Sequence, residues 1–407
     1  MLIDQEEAAM EERNCIGIIA EFDPFHRGHA HLIAQAKAAL PGAPVVCAMS
    51  GPFTQRGEAA IVSKYARAEM ALRCGADLVV ELPVQWAVSS AESFARGGVQ
   101  ILHALGVTHL AFGSESGDLT ALQAVAQALD SDAFPNALRP YLQQGLPFAS
   151  ARQKALETLV GVETAACLTR PNNLLGIEYL RAIQTLAPEM RALTVPRVGA
   201  AHNAAGVNEG FASASQIRQW LLAGELERAC AQMPGPAAGI LRGQAPAALT
   251  YNARGILTIL RRMTPEDWRA LPDCGEGLEH RLCRAAGEST TLEQFWDAVK
   301  SKRYAHARIR RLTLWAYLGL TRQERWTEGV PYVRVLGLCE GGKGVLKQAK
   351  GLGRLPVLTK PAQVKRWGER CQRQFDLDAS AQMLWGMCLP EVGQALNEWA
   401  MGPVVIR

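Results

Sequence analysis

Four strand-like apolar runs, each followed by a turn and an amphipathic stretch, constrain this chain more than any other feature. They are Cys15–Ala20, Pro44–Met49, Asp77–Leu82 and Thr108–Phe112. Between them Ala30–Leu40, Val62–Cys74 and Ala91–Leu105 repeat apolar residues at helical spacing, and the last two stop at Gly75 and Gly106. Strands alternating with helices predict an α/β fold with a parallel, doubly wound sheet. Such sheets bind ligands beyond the carboxyl ends of their strands. The less ordinary residues follow those ends: Glu21–His29, Ser50–Glu58, Glu81–Gln85 and Gly113–Glu115. Leu119–Val160 reads as helices, Thr194–Val198 as a fifth strand and Ser213–Ala223 as the next helix. From about Ala229 the alternation stops, and helical patterns run to Gly319. A small last unit holds the strand-like Tyr332–Leu338 and Val357–Thr359. The expected division is an acidic extension over 1–14, an α/β domain over 15–228 and a mainly helical region over 229–407.

No apolar run is long enough to span a membrane; the richest, Ala76–Val88, is broken by Asp77, Glu81 and Pro83. The acidic first fourteen residues resemble no targeting segment, and a cytoplasmic location is expected. The ten cysteines are scattered without zinc-site spacing and read as reduced core thiols. Net charge is only +4, yet residues 298–370 carry 17 Lys/Arg against four Asp/Glu. An acidic body with a basic C-terminal region points to a polyanionic partner. No obligate protein partner is evident.

The chemistry concentrates after the first strand, in Glu21-Phe22-Asp23-Pro24-Phe25-His26-Arg27-Gly28-His29. Pro24 forces a turn, and His26 and His29, three apart at a helix start, can face one ligand. Gly28 lets a nucleotide approach the backbone, and the helix N-terminus offers free N–H groups to phosphate. Two imidazoles beside those donors suit an α-phosphate that gains charge during in-line substitution. Ser213-Ala214-Ser215-Gln216-Ile217-Arg218 opens a later helix; Ser213 or Ser215 can cap it, with Arg218 in its first turn facing phosphate or solvent. The amides of Asn172 and Asn173 can cap a helix or read a nucleoside. On Lys300–Gly319, Arg303, His306 and Arg310 line one flank of an apolar stripe, and Tyr304, Arg308, Arg311 and Trp315 the other. That face is either an RNA-backbone surface or simply solvated.

Taken together, EFDPFHRGHAHL, SGPFTQRGEAAIVSKYARAEMAL, GADLVVELP, LGVTHLAFGSE, RPNNLLGIEYL, SASQIR, RYAHARIRRLTLWAYLG and YVRVLGL resemble the bacterial tRNA(Met) cytidine acetate ligases. These blocks run in order from Ile16 to about Leu338. The resemblance implies a Rossmann-like catalytic domain of the HIGH nucleotidyltransferase superfamily. It implies ATP as substrate, with magnesium, and acetate and elongator tRNA(Met) as the other partners. Acetate would attack the α-phosphorus to give acetyl-adenylate, and the wobble cytidine would take the acetyl group as N(4)-acetylcytidine. His26 and His29 would be catalytic. ATP would be held by Ile19–Leu32 (Ile19, Ala20, Glu21, Phe22, Asp23, Pro24, Phe25, Gly28, His31 and Leu32), by Gly113, by an asparagine of the Asn172-Asn173 pair, by Arg197, and by Ser213 and Arg218. Arg303, Arg308, Arg310 and Arg311 would meet RNA. Asp23 departs from the pattern, standing where asparagine is usual; its carboxylate would oppose triphosphate unless it meets magnesium or caps the helix. A small-molecule adenylyltransferase with the same site, or an RNA-binding protein with a degenerate one, stays open as an alternative.

Overall fold

The structure, a computed structural model, describes residues 14–197, 211–275, 277–324 and 328–407. The acidic extension, apart from Asn14, and Val198 at the end of the expected fifth strand lie outside these residues. The expected alternation is present: β1 (Ile16–Ala20), α1 (Arg27–Ala39), β2 (Val45–Ser50), α2 (Lys64–Arg73), β3 (Leu78–Leu82), α3 (Ala91–Ala104), β4 (His109–Ser114), α4 (Pro171–Leu186), β5 (Arg191–Pro196) and α5 (Ala214–Leu222). Helices 119–129, 133–143 and 148–160 fill the span before α4.

The sheet order is β5-β4-β1-β2-β3, with every neighbouring pair parallel. Both faces are covered, so the strands read as continuous apolar runs. Ile16, Ile18, Val45, Cys47 and Val79 pack under α1 and α2, while Ile19, Val46, Ala48, Leu78 and Val80 pack under α3 and α4. Short hydroxyl caps start the helices: Ser63 Oγ accepts from Ala66 N at 3.2 Å and Ser90 Oγ from Ser93 N at 3.4 Å.

Beyond residue 228 a helical core forms around Trp268, Phe295, Leu312 and Trp315. Its last long helices are α6 (His306–Tyr317) and α7 (Glu369–Gly386). Phe53, Val84 and Val88 from the first half belong to the same core. The strand-like runs near the end do not make a unit of their own. Strand β6 (Val333–Leu338) pairs antiparallel with β3, and β7 (Val357–Leu358) and β8 (Val404–Val405) pair parallel with β6. Among the described residues the sheet therefore has eight strands and crosses the boundary expected after residue 228. Left uncovered, β3 would present an open edge of unpaired backbone groups. A buried ion cluster locks this seam. Lys64 Nζ lies 2.8 Å from Glu81 Oε1 and 3.0 Å from Glu398 Oε2, and Arg334 pairs with both carboxylates.

All ten cysteines are free thiols, six of them buried. Among the described residues no helix is long and apolar enough to cross a membrane.

Candidate active site

The carboxyl ends of β1, β4 and β5 and the N-termini of α1, α4 and α5 surround a cleft of about 450 Å³. Of the residues expected to hold a nucleotide, Ile19, Ala20, Glu21, Phe22, Asp23, Gly28, His31, Leu32, Gly113, Asn172, Arg197, Ser213 and Arg218 line it, together with His26 and His29. Pro24, Phe25 and Asn173 are not on its wall. Phe25 is fully buried behind it, with its ring 5.0 Å from that of Phe22.

The two histidines are fixed by the helix they begin. His26 is the N-cap of α1: its Nδ1 accepts from Gly28 N at 3.0 Å, and its own N–H donates to His29 Nδ1 at 3.2 Å. With both Nδ1 atoms accepting, each neutral ring carries its proton on Nε2. The rings stack at 3.9 Å. Burial, then Arg197 and Arg218, push His26 down to about 4. Burial, His26 and Arg197 hold His29 well below the ordinary histidine value. At neutral pH the pair are thus two uncharged Nε2–H donors that need no proton release to serve a phosphate. A side chain at position 28 would collide with the His26 ring, its Cβ falling 2.8 Å from Cε1. Glycine there keeps the backbone at the helix start open.

Arg218 enters from α5, whose N-cap Ser213 accepts from Gln216 N at 3.2 Å. Its guanidinium donates to Asp23 O at 2.9 Å and to Ser215 Oγ at 3.2 Å. Arg197, at the end of β5, donates to Asn172 Oδ1 at 3.2 Å. The asparagine pair divides its work. Asn172 faces the cleft, whereas Asn173 is buried and its Oδ1 accepts from Glu115 N at 2.9 Å and Ser116 N at 3.2 Å. Glu115 answers by capping α4, accepting from Asn172 N at 3.1 Å and Asn173 N at 2.8 Å. Burial would raise the Glu115 carboxyl, but the hydrogen bonds from Asn172 and Asn173 hold it below its usual range.

Other residues complete the wall. Thr54, Gln55, Arg56 and Glu58 come from the loop after β2, and Phe94, Phe112 and Tyr179 form an apolar side. Arg67 of α2, fully buried, ties the strand ends together: Nη1 donates to Glu21 O at 2.6 Å and Ser50 O at 3.0 Å, and Nη2 to Gly51 O. Its one signal in the sequence is a cation inside the Ala-rich run of Lys64–Arg73.

The four arginines of the basic stretch fare differently. Arg308 donates to Asp273 O and stacks over Tyr304 at 5.3 Å, and Arg311 donates to Gln55 O at 3.2 Å. Arg310 meets Glu58 Oε1 at 2.5 Å. Arg303, 5.7 Å over the same Tyr304 ring, is the exposed one of the four. Helix α6 is thereby clamped onto the cleft's own loop.

A family model described as HIGH Nucleotidyl Transferase matches residues 13–398. The tRNA(Met) cytidine acetate ligase of Alkaliphilus metalliredigens is 35% identical, over 92% of this chain and 94% of that protein. That of Caldanaerobacter subterraneus subsp. tengcongensis is 38% identical, over 90% and 93%. The chain is a member of the tRNA(Met) cytidine acetate ligase family of HIGH nucleotidyltransferases. In solved form, Thermotoga maritima TmcAL bound with alpha-thio ATP is 31% identical with a TM-score of 0.89, covering 96% of this chain and 99% of that one. The apo form of the same protein superposes with a TM-score of 0.91.

The Asp23 carboxylate, expected to oppose triphosphate unless it met magnesium or capped the helix, is engaged by its surroundings. Oδ1 accepts from Ile61 N at 2.6 Å and Oδ2 lies 3.4 Å from Arg218, so the carboxylate braces a loop. His26, not Asp23, caps the helix. Burial raises the Asp23 carboxyl above its ordinary range, against the pull of Arg218 and Arg67. No group of three or more His, Cys, Asp or Glu side chains able to hold a metal occurs among the described residues.

Proposed function

We propose that this chain activates acetate with ATP and acetylates the wobble cytidine of elongator tRNA(Met). An acetate oxygen attacks the α-phosphorus, and the bond to the bridging oxygen breaks to release pyrophosphate. The cytidine N4 amine then attacks the acetyl carbon of acetyl-adenylate, loses a proton and expels AMP, leaving N(4)-acetylcytidine. The observation that carries this reading is the pair of neutral Nε2–H donors of His26 and His29, flanked by Arg197 and Arg218, in a chain that shares its whole fold with an ATP-analogue-bound TmcAL.

The residues do what such a reaction needs. His26 and His29 donate to the α-phosphate as its equatorial charge grows, and Arg197 and Arg218 offset the charge of the departing pyrophosphate. Gly113 and Asn172 seat the nucleoside, and Asn173 acts through the Glu115–Ser116 turn, whose Glu115 carboxylate accepts from Asn172. Magnesium would come with the phosphates of ATP and offset their charge; among the described residues no group of three or more His, Cys, Asp or Glu could hold it. The apolar wall of Phe94, Phe112 and Tyr179 keeps water from the mixed anhydride. Arg303 and its neighbours on the basic region meet the RNA backbone, and the reaction takes place in the cytoplasm.

The test is to incubate the protein with ATP and labelled acetate alone, isolate the complex, and then add tRNA with unlabelled acetate. Labelled acetyl-AMP followed by labelled N(4)-acetylcytidine is expected. Label that reaches neither AMP nor RNA would overturn the assignment.

A further inference from the structure

The loop Thr54–Glu58 lies between the cleft and α6, and the reading above gives its carboxylate no task. Its backbone is fixed. Thr54 N donates to Glu58 O at 3.0 Å, Gly57 N to Thr54 O at 2.9 Å, and Gln55 N to Glu21 Oε1 at 2.6 Å. Gly57, at φ +79°, is pressed against α6; a Cβ there would fall 2.6 Å from Arg310 Cβ. What can change partners is the Glu58 side chain.

That side chain faces two cations. Oε2 is 2.9 Å from Arg218 Nη2 on the cleft wall, and Oε1 is 2.5 Å from Arg310 Nη1 on α6. Arg218 has oxygen in excess, since besides Glu58 it meets Asp23 O at 2.9 Å, Ser215 Oγ at 3.2 Å and Asp23 Oδ2 at 3.4 Å. Arg310 has the opposite imbalance. Its guanidinium lies 4.7 Å over the Trp296 ring, and its Nε is buried without a hydrogen-bond partner among the described residues.

From this asymmetry we propose that Glu58 is a positioning residue that occupies a phosphate's place at Arg218 and withdraws to Arg310 when ATP binds. The inference rests on ATP filling the cleft, as proposed above. A polyphosphate and a carboxylate at one guanidinium repel each other, and the half-buried setting screens that repulsion less than water does. The carboxylate can leave cheaply because its second cation is already in contact, so the exchange needs a side-chain rotation and no movement of the loop. Arg310 therefore tunes the cleft's hold on triphosphate although it lines no part of it. Anything that engages Arg310 changes ATP affinity by the same factor as ATP changes its own.

The experiment is a double-mutant cycle read by calorimetry on the full chain, with ATP and with adenosine, which carries no phosphate. E58Q should bind ATP about threefold to tenfold more tightly, and R310Q about threefold to tenfold more weakly. The R310Q loss should vanish in the E58Q background, and R310K should recover most of it. Adenosine affinity should not move in any variant. If E58Q fails to fold, the R310Q and R310K pair decides: equal loss of ATP affinity in both overturns the proposal. So do an R310Q loss that persists in E58Q, an E58Q that binds ATP no more tightly than wild type, and parallel shifts for adenosine. A wild-type chain that binds no ATP overturns this inference and the functional reading together, whereas ATP binding without coupling overturns only the inference.

Discussion

Neutral histidines at the start of α1 make a measurable claim about stability. The His26 ring is pushed down to about 4 by burial, Arg197 and Arg218. In the unfolded chain an ordinary histidine titrates near 6.5. Between those values the unfolded state binds a proton that the folded state refuses, so folding is favoured above pH 6.5 and that advantage is lost as pH falls toward 4. At pH 7 the penalty is close to zero; at pH 5 it reaches about 2 kcal/mol, and below pH 4 it levels at about 3 kcal/mol. His26→Gln keeps a polar side chain of similar reach and removes the titration. Denaturant unfolding followed by tryptophan fluorescence, at pH 7 and pH 5, should show wild type losing about 2 kcal/mol more than H26Q. His29 shifts in the same direction, and because His26 contributes to that shift the difference reports the stacked pair, with His26 as the group removed. Equal losses in the two proteins would refute the claim that His26 is held uncharged, and with it the two-donor geometry.

Replacing either His26 or His29 by alanine should slow acetate-dependent ATP–pyrophosphate exchange by about 10²–10³-fold while the circular dichroism spectrum stays unchanged. Lys64→Met leaves Glu81 and Glu398 buried beside one remaining cation, and unfolding free energy should fall by about 3–5 kcal/mol. Arg303→Gln should weaken tRNA binding and reduce the log–log salt slope by about 0.7–0.9 without altering ATP affinity; an unchanged slope would remove Arg303 from the RNA surface.

The parts of the site that sequence makes legible are those whose cause is local. A buried strand, a proline turn and His-x-Gly-His within ten residues of one another put both imidazoles on one cap, and the hydroxyl caps before Arg218 place it at a helix start. Asn173 is legible only in part, because an amide before a helix can cap it or face a ligand, and here it closes the Glu115–Ser116 turn. Arg67 escapes because its acceptors are backbone carbonyls at the ends of two strands, a demand that the register of β1 against β2 creates. The place of β6 is likewise invisible, since nothing in Tyr332–Leu338 says which sheet edge it will cover.

The basic region shows most clearly where a reading along the chain runs out. Counting Lys and Arg finds 17 cations in residues 298–370 and treats them as available. Folding brings the rest of the chain against them: Glu58 meets Arg310 and Glu81 meets Arg334, while Gln55 and Asp273 offer carbonyls to Arg311 and Arg308. A cation committed in this way is worth more as a strut than as a phosphate contact, because releasing it leaves a half-buried carboxylate or carbonyl unanswered. Arg303, the exposed one among Arg303, Arg308, Arg310 and Arg311, is where RNA affinity should respond first to mutation. Arg310 is where a change should be felt in the nucleotide cleft instead, through Glu58, although the two arginines stand only seven residues apart in the sequence.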